Sequence, residues 1–268
     1  MTAPNKSLGQ HWLRDRDILA SIAESADITA EDTVLEIGPG LGTLTSELLR
    51  RAGQVIAVEF DSELARKLPG QFPGTSLKVI SQDILSFDLT TLPKDYKVVA
   101  NVPYYITSKI IQRLMTSDNQ PSIASLLVQK EVAERLAAAP GDMSILAVSA
   151  QMYATVSLGA VVPASYFTPP PKVDSQVVVL HRRPEPLVRP SDEKNFFRVV
   201  KAGFSARRKK LRSSLSGGLA ISKDHIVALL NVAEISPDRR AEDLSINEWI
   251  RLTEVWRDYQ SSADNISH

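Results

Sequence analysis

Short apolar runs alternate with stretches of helical periodicity through the first half of this chain, and that alternation limits the fold more than any other feature. Residues 33–37, 54–59, 77–80, 98–101 and 122–129 read as strands. Residues 17–26, 43–52, 61–68, 106–115 and 131–139 read as helices, with apolar side chains recurring every three or four places. Strands separated by helices of about ten residues and joined by short loops make a parallel sheet with helices on both faces. Such a sheet binds its ligand beyond the carboxyl ends of its strands. Here those ends carry Glu36-Ile37-Gly38, Glu59, Asp83 and Asn101.

The second half reads differently. Residues 156–162 and 177–180 look like two further strands with no helix between them, so an antiparallel edge is expected. Arg183-Pro184-Glu185-Pro186 reads as a linker. The expected division is a sheet domain over 1–184, a helical domain over 185–260 and a disordered tail over 261–268. Helices are expected at 192–204, 207–215, 223–230 and 246–259, with Ser191 and Ser245 as N-caps. Residues 143–171 carry no charge. Gln151, Gly159 and Pro163 and the lack of basic flanks make this a buried helix followed by a buried strand rather than a membrane span. The opening residues are polar and do not form a secretory signal.

The composition excludes some chemistry. Without cysteine there are no disulfides or thiolate metal sites, and none of the four histidines is spaced as a metal ligand, so no metal is expected. The formal net charge is zero, yet residues 182–212 carry +8 while the segments before and after carry −4 each. A local basic block in a neutral chain points to a polyanion bound at one place.

Gly38-Pro39-Gly40-Leu41-Gly42 follows the first strand and opens a helix. Glycines there permit left-handed turns and close approach of a ligand. The dinucleotide fingerprint needs a further glycine where this chain has Thr43. No Lys or Arg in the loop offsets a diphosphate. Glu59 can accept both hydroxyls of a ribose, and Asp83 can accept from an adenine amino group. A ribose and an adenine without a diphosphate describe S-adenosylmethionine better than NAD.

Asn101-Val102-Pro103-Tyr104 then supplies the acceptor side. Pro103 ends the strand and stiffens the turn. The Asn101 side-chain oxygen and the Pro103 carbonyl can hold the two N–H groups of an aromatic amine, aiming its lone pair at a methyl sulfonium. Tyr104 can stack on the base. Catalysis would be chiefly alignment, because the nitrogen becomes acidic once alkylated and needs no strong base.

Five motifs in order give the chain a resemblance to a known family. They are Lys6-Ser7-Leu8-Gly9-Gln10-His11-Trp12-Leu13, Leu35 to Thr45, Asn101 to Tyr105, Phe167-Thr168-Pro169-Pro170-Pro171-Lys172-Val173-Asp174-Ser175 and Phe204 to Leu211. Together they resemble the KsgA-type small-subunit ribosomal RNA adenine dimethyltransferases over residues 6–258. The resemblance implies a Rossmann-like S-adenosylmethionine-dependent methyltransferase domain followed by a small all-helical domain. It implies dimethylation at N6 of two adjacent adenines near the 3′ end of small-subunit rRNA. His11 and Leu13 would line the methionine end of the cofactor, with Gly38 and Gly40 beneath it. Glu59 would hold the ribose and Asp83 the adenine. Asn101 would touch both cofactor and substrate, and Tyr104 and Phe167 would sandwich the base. Arg207, Arg208, Lys209, Lys210 and Arg212, expected around one helix, would supply RNA phosphate contacts. The substrate would be rRNA in a pre-small-subunit particle, met in the cytoplasm by a monomer with no membrane attachment. Trp12 and Val102 depart from the family's usual Phe and Leu. A large-subunit rRNA methyltransferase and an assembly factor acting mainly by binding remain alternatives at this level.

Overall fold

The computed structural model describes residues 10–266, with side chains to residue 262. Residues 6–9 of the first motif and residues 267–268 lie outside the described residues. The chain divides into two compact units, residues 1–137 with 154–183 and residues 138–153 with 184–268.

In the first unit, β1 (Trp12–Leu13) leads into α1 (Arg16–Glu24), which starts where the Asp15 carboxylate accepts the N–H groups of Asp17 and Ile18. There follow β2 (Thr33–Ile37), α2 (Thr43–Leu49), β3 (Gln54–Glu59), α3 (Ser62–Lys67), β4 (Leu77–Ser81), β5 (Lys97–Asn101), α4 (Thr107–Met115), β6 (Ile123–Gln129) and α5 (Lys130–Leu136). The strands β7 (Ala154–Val162), β8 (Phe167–Thr168) and β9 (Ser175–Arg182) complete it.

Seven strands form one sheet in the order β4-β3-β2-β5-β6-β9-β7. The first five are parallel, and β9 runs antiparallel to both its neighbours β6 and β7, as the missing helix between β7 and β9 predicts. The chain runs outward from β2 to β4, then returns to β5 on the other side of β2. That reversal opens a crevice at the carboxyl ends of β2 and β5. Val34, Val55, Val99 and Leu127 pack with Leu19, Ile22, Leu44 and Leu48 from α1 and α2. The intervening residues Leu35, Val98 and Leu126 are equally closed to solvent, so both faces are covered.

The stretch expected to be a buried strand is instead the sheet's edge. Leu158 and Val161 on β7 are each 44% exposed, because β7 has a neighbour on one side only. Sequence reading missed β8. It pairs antiparallel with β1, Leu13 against Phe167 and Trp12 against Thr168, and a two-residue ladder leaves no periodicity to detect. Among the described residues no helix is long and apolar enough to cross a membrane.

The second unit is helical and discontinuous, which corrects the single cut at 184. Residues 138–153, with α6 (Ile145–Gln151), belong to it. The Gly141 and Met143 N–H groups donate to the Glu242 carbonyl, and the Tyr153 hydroxyl bonds the Glu193 carboxylate. Next come α7 (Pro190–Phe204), α8 (Leu211–Leu219), α9 (Lys223–Val232) and α10 (Ile246–Ile266). A Cβ on Gly203 would stand 2.3 Å from the fully buried Trp249 ring, so glycine lets α7 and α10 close on each other. Ser245 caps α10 reciprocally with Glu248. Ser191 lies inside α7, whose first residue is Pro190. No Gly or Pro interrupts α10, so 261–266 are helical rather than disordered.

Candidate active site

Four strand ends and the loop before α2 converge on one cleft in the first unit, lined by His11, Leu13, Gly38, Gly40, Glu59 and Asp83 among others. Asn101, Pro103 and Tyr104 line the same cleft. The sheet order sets them in series, with Asp83 after β4, Glu59 on β3, Gly38 after β2 and Asn101 on β5.

The glycine loop is left-handed at all three glycines, with φ of +66°, +57° and +78° at Gly38, Gly40 and Gly42. A Cβ on Gly38 would meet nothing within 4 Å, so this backbone borders open space that a ligand can fill. Glu59 closes the loop from the next strand. One of its oxygens accepts from the Gly40 N–H at 3.0 Å, the other from the Asp61 N–H at 2.8 Å. Each carboxylate oxygen keeps capacity for a further donor. Burial raises the Glu59 pKa, and the two backbone donors oppose that. Asp83 is half-buried, and one of its oxygens takes the Leu85 N–H at 2.9 Å.

Asn101 is oriented by the opening segment of the chain. Its amide NH2 donates to the His11 carbonyl at 3.2 Å. The side-chain oxygen is left without a partner among the described residues, as an acceptor for an amine N–H must be. The Pro103 carbonyl already accepts from the Ile106 N–H at 3.2 Å and the Thr107 hydroxyl at 3.3 Å, so an incoming amine would have to share it. The Tyr104 hydroxyl meets Ser175 at 2.6 Å, and its ring stacks on His11 with centroids 5.7 Å apart. His11 Nδ1 donates to the Pro169 carbonyl at 2.7 Å. Burial pushes the Tyr104 pKa up.

Phe167 stands elsewhere. It is 3% exposed, in the core with Leu13 and Leu19 on the β1–β8 ladder, and not among the side chains lining the cleft. The base sandwich implied by the resemblance is therefore not formed in the structure.

Sequence reasoning gave Glu36 no role. It is 1% exposed, lines the cleft, and takes the Thr45 hydroxyl at 2.6 Å. Burial pushes its pKa up to about 8, and the nearby Glu59 adds to the rise. An acid inside an otherwise apolar strand was the available signal.

The run from Arg207 to Lys210 lies in the second unit and is not helical, whereas Arg212 is on α8. Arg207, Arg208 and Lys209 sit on an exposed turn, and α8 starts only at Leu211. Leu211 and Leu215 are buried, which fixes the helix start after the charges. Lys210 and Arg212 both pair with Asp238, at 3.0 and 3.1 Å. Among the described residues Arg207, Arg208 and Lys209 have no ion-pair partner.

A mixed sheet with a reversal point, a left-handed glycine loop and an acid on the next strand define the Rossmann-like S-adenosylmethionine-dependent methyltransferases. The solved 23S rRNA methyltransferase ErmE is similar to this chain, with 30% identity and a TM-score of 0.75 over 91% of this chain and 98% of that one. So is a dimethyladenosine transferase from Plasmodium falciparum, with 28% identity and a TM-score of 0.78 over 90% and 96%. The sequence model of the family described as "Ribosomal RNA adenine dimethylase" matches residues 1–258, and the chain belongs to that family. Two relatives carry the name ribosomal RNA small subunit methyltransferase A. One, from Dehalococcoides mccartyi, is 43% identical over 94% of this chain and 88% of its own length. The other, from Clostridium botulinum, is 42% identical over 93% of each.

Proposed function

We propose that this protein dimethylates N6 of two adjacent adenines near the 3′ end of small-subunit rRNA, using S-adenosylmethionine, as a step in small-subunit biogenesis. One observation carries the reading: the side-chain oxygen of Asn101, without a partner among the described residues, lines the cleft while its NH2 group is held by the His11 carbonyl. The cofactor, when bound, supplies an electrophilic methyl group on a sulfonium.

The chain's own residues do the rest. The open backbone at Gly38, with Gly40 beside it, and the two remaining lone-pair sites of Glu59 suit a nucleoside, with Glu59 on the ribose and Asp83 on the adenine. His11 and Leu13 wall the other end. Asn101 accepts one N–H of the target amine and turns its lone pair inward. The Pro103 carbonyl takes the second N–H by sharing, and Tyr104 offers a ring face held by Ser175. Phe167 reaches the base only if the β1–β8 ladder shifts, so in the conformation described Tyr104 alone stacks. After transfer the alkylated nitrogen sheds its proton to solvent, since no carboxylate is needed at Asn101.

The helical unit serves as the RNA-recognition part. Arg207, Arg208 and Lys209 are free to meet phosphates, with Lys210 and Arg212 available once released from Asp238. The substrate is rRNA in a pre-small-subunit particle, and the enzyme works as a cytoplasmic monomer without a metal. Identities of 42–43% to relatives named for the small subunit, against 30% to ErmE, favour this target over large-subunit rRNA. The test is Asn101→Ala. It should keep part of its affinity for S-adenosylhomocysteine yet leave the two adenines unmethylated, read by mass spectrometry of small-subunit rRNA. Full retention of dimethyladenosine would sink the mechanism.

A further inference from the structure

We infer that the indole N–H of Trp12 is a cofactor contact, donating a hydrogen bond to the carboxylate at the amino-acid end of S-adenosylmethionine. The inference rests on the reading of the cleft as the S-adenosylmethionine site. It starts from an orphan: Trp12 is 8% exposed and lines the cleft, and its Nε1 has no hydrogen-bond partner among the described residues. A buried donor left unpaired is costly and needs an account. Two other indole nitrogens, of Trp249 and Trp256, are also unpaired among the described residues, but both belong to the helical unit.

The position of Trp12 narrows the partner. A Cβ on Gly40 would lie 3.8 Å from Trp12 Nε1, so the indole edge stands over the glycine loop. Its backbone is pinned by the ladder with β8, and the Leu13 carbonyl accepts the Thr43 hydroxyl at 2.9 Å. The side chain is thus built into the cleft wall. An indole N–H only donates, so the partner is an acceptor.

Three features select the carboxylate among the ligand's acceptors. First, the nucleoside-binding acids, Asp83 and Glu59, lie toward β4 and β3, while Asn101 on β5 marks where the reacting methyl must be. The amino-acid chain on the sulfonium therefore continues away from those acids. Second, Asn101 is bonded to the carbonyl of His11, the residue before Trp12, which puts β1 beside the sulfonium end. Third, the Arg14 guanidinium stands 5.9 Å from the Trp12 ring centre, so this end favours an anion where the other, lined by carboxylates, repels one. The nitrogen is closed to water in the structure.

The test uses the full chain, the Trp12→Phe variant and two probes. S-adenosylhomocysteine carries the carboxylate, and 5′-methylthioadenosine carries the same thionucleoside without it. Calorimetric titration should show the variant binding S-adenosylhomocysteine about tenfold or more weakly, the scale of a charge-assisted bond, and methylthioadenosine as wild type does. The thermal midpoint of the free variant should be equal or higher, because phenylalanine removes the orphan donor and keeps the apolar wall. An equal loss for both probes, or none for S-adenosylhomocysteine, overturns the contact. Wild-type protein that binds neither probe overturns the cofactor reading, and the contact with it.

Discussion

Gly38 and Gly42 have similar backbone angles in one loop, yet replacing each with alanine should fail in different ways. Both sit at positive φ, which costs an L-residue ~1–2 kcal/mol. At Gly38 that is the whole cost to the fold, since a Cβ there meets nothing within 4 Å. At Gly42 the Cβ would stand 2.7 Å from Leu68 Cδ1 and 2.9 Å from Phe72 Cε2. Leu68 is fully buried and cannot swing away, so overpacking adds ~1–3 kcal/mol. Gly42→Ala should therefore melt below Gly38→Ala by roughly 2–4 °C for each kcal/mol of that difference. Ligand binding should rank the other way. The Gly38 methyl occupies ligand space, so that variant should lose affinity for S-adenosylhomocysteine about tenfold, while folded Gly42→Ala keeps most of it. Thermal melts by circular dichroism and calorimetric titration of both variants decide the matter. Equal melting losses, or wild-type affinity in Gly38→Ala, would refute the argument.

Two further outcomes are expected. Glu36 is neutral in the folded protein until about pH 8, while an unfolded Glu ionises near 4.5. Its contribution to stability is therefore complete below the lower value and lost as pH rises to the higher, at up to ~1.4 kcal/mol per unit. Glu36→Gln, which cannot ionise, should gain on wild type between pH 5 and pH 8 in urea melts, and parallel curves would contradict the assignment. Replacing Arg207, Arg208 and Lys209 together by alanine should flatten the dependence of log K for RNA on log salt by about 0.7–0.9 for each phosphate these side chains neutralise. Lys210→Ala should flatten it less, because Lys210 is already paired with Asp238. Filter binding between 50 and 200 mM KCl, roughly the range over which such slopes show, checks both.

The sheet was legible because its signals are local. Apolar runs such as Val98-Val99-Ala100 and the glycines after Ile37 report their own conformation, so the strands and the loop could be placed from residues alone. What escaped depends on distance in the chain. Nothing near Trp12 announces that it will pair with Thr168. Nothing near Pro103 shows that its carbonyl caps the next turn. The basic block misled for a physical reason. Charges at helical spacing suit a helix, but the buried anchors Leu211 and Leu215 come after them, so the helix begins where its packing begins. The uncharged stretch 143–171 misled in the opposite sense, since apolar composition is as compatible with an edge strand as with a core one.

The insertion of residues 138–153 into the helical unit bears on how the chain is made. A ribosome delivers this segment before β7, β8 and β9, yet its partners Glu193 and Glu242 emerge only after those strands. Until then the Gly141 and Met143 N–H groups and the Tyr153 hydroxyl lack the partners they have in the folded chain. The same threading means that a cut at the 183–184 linker does not separate two folding units, because it removes one part of the helical unit and leaves the other attached to the sheet.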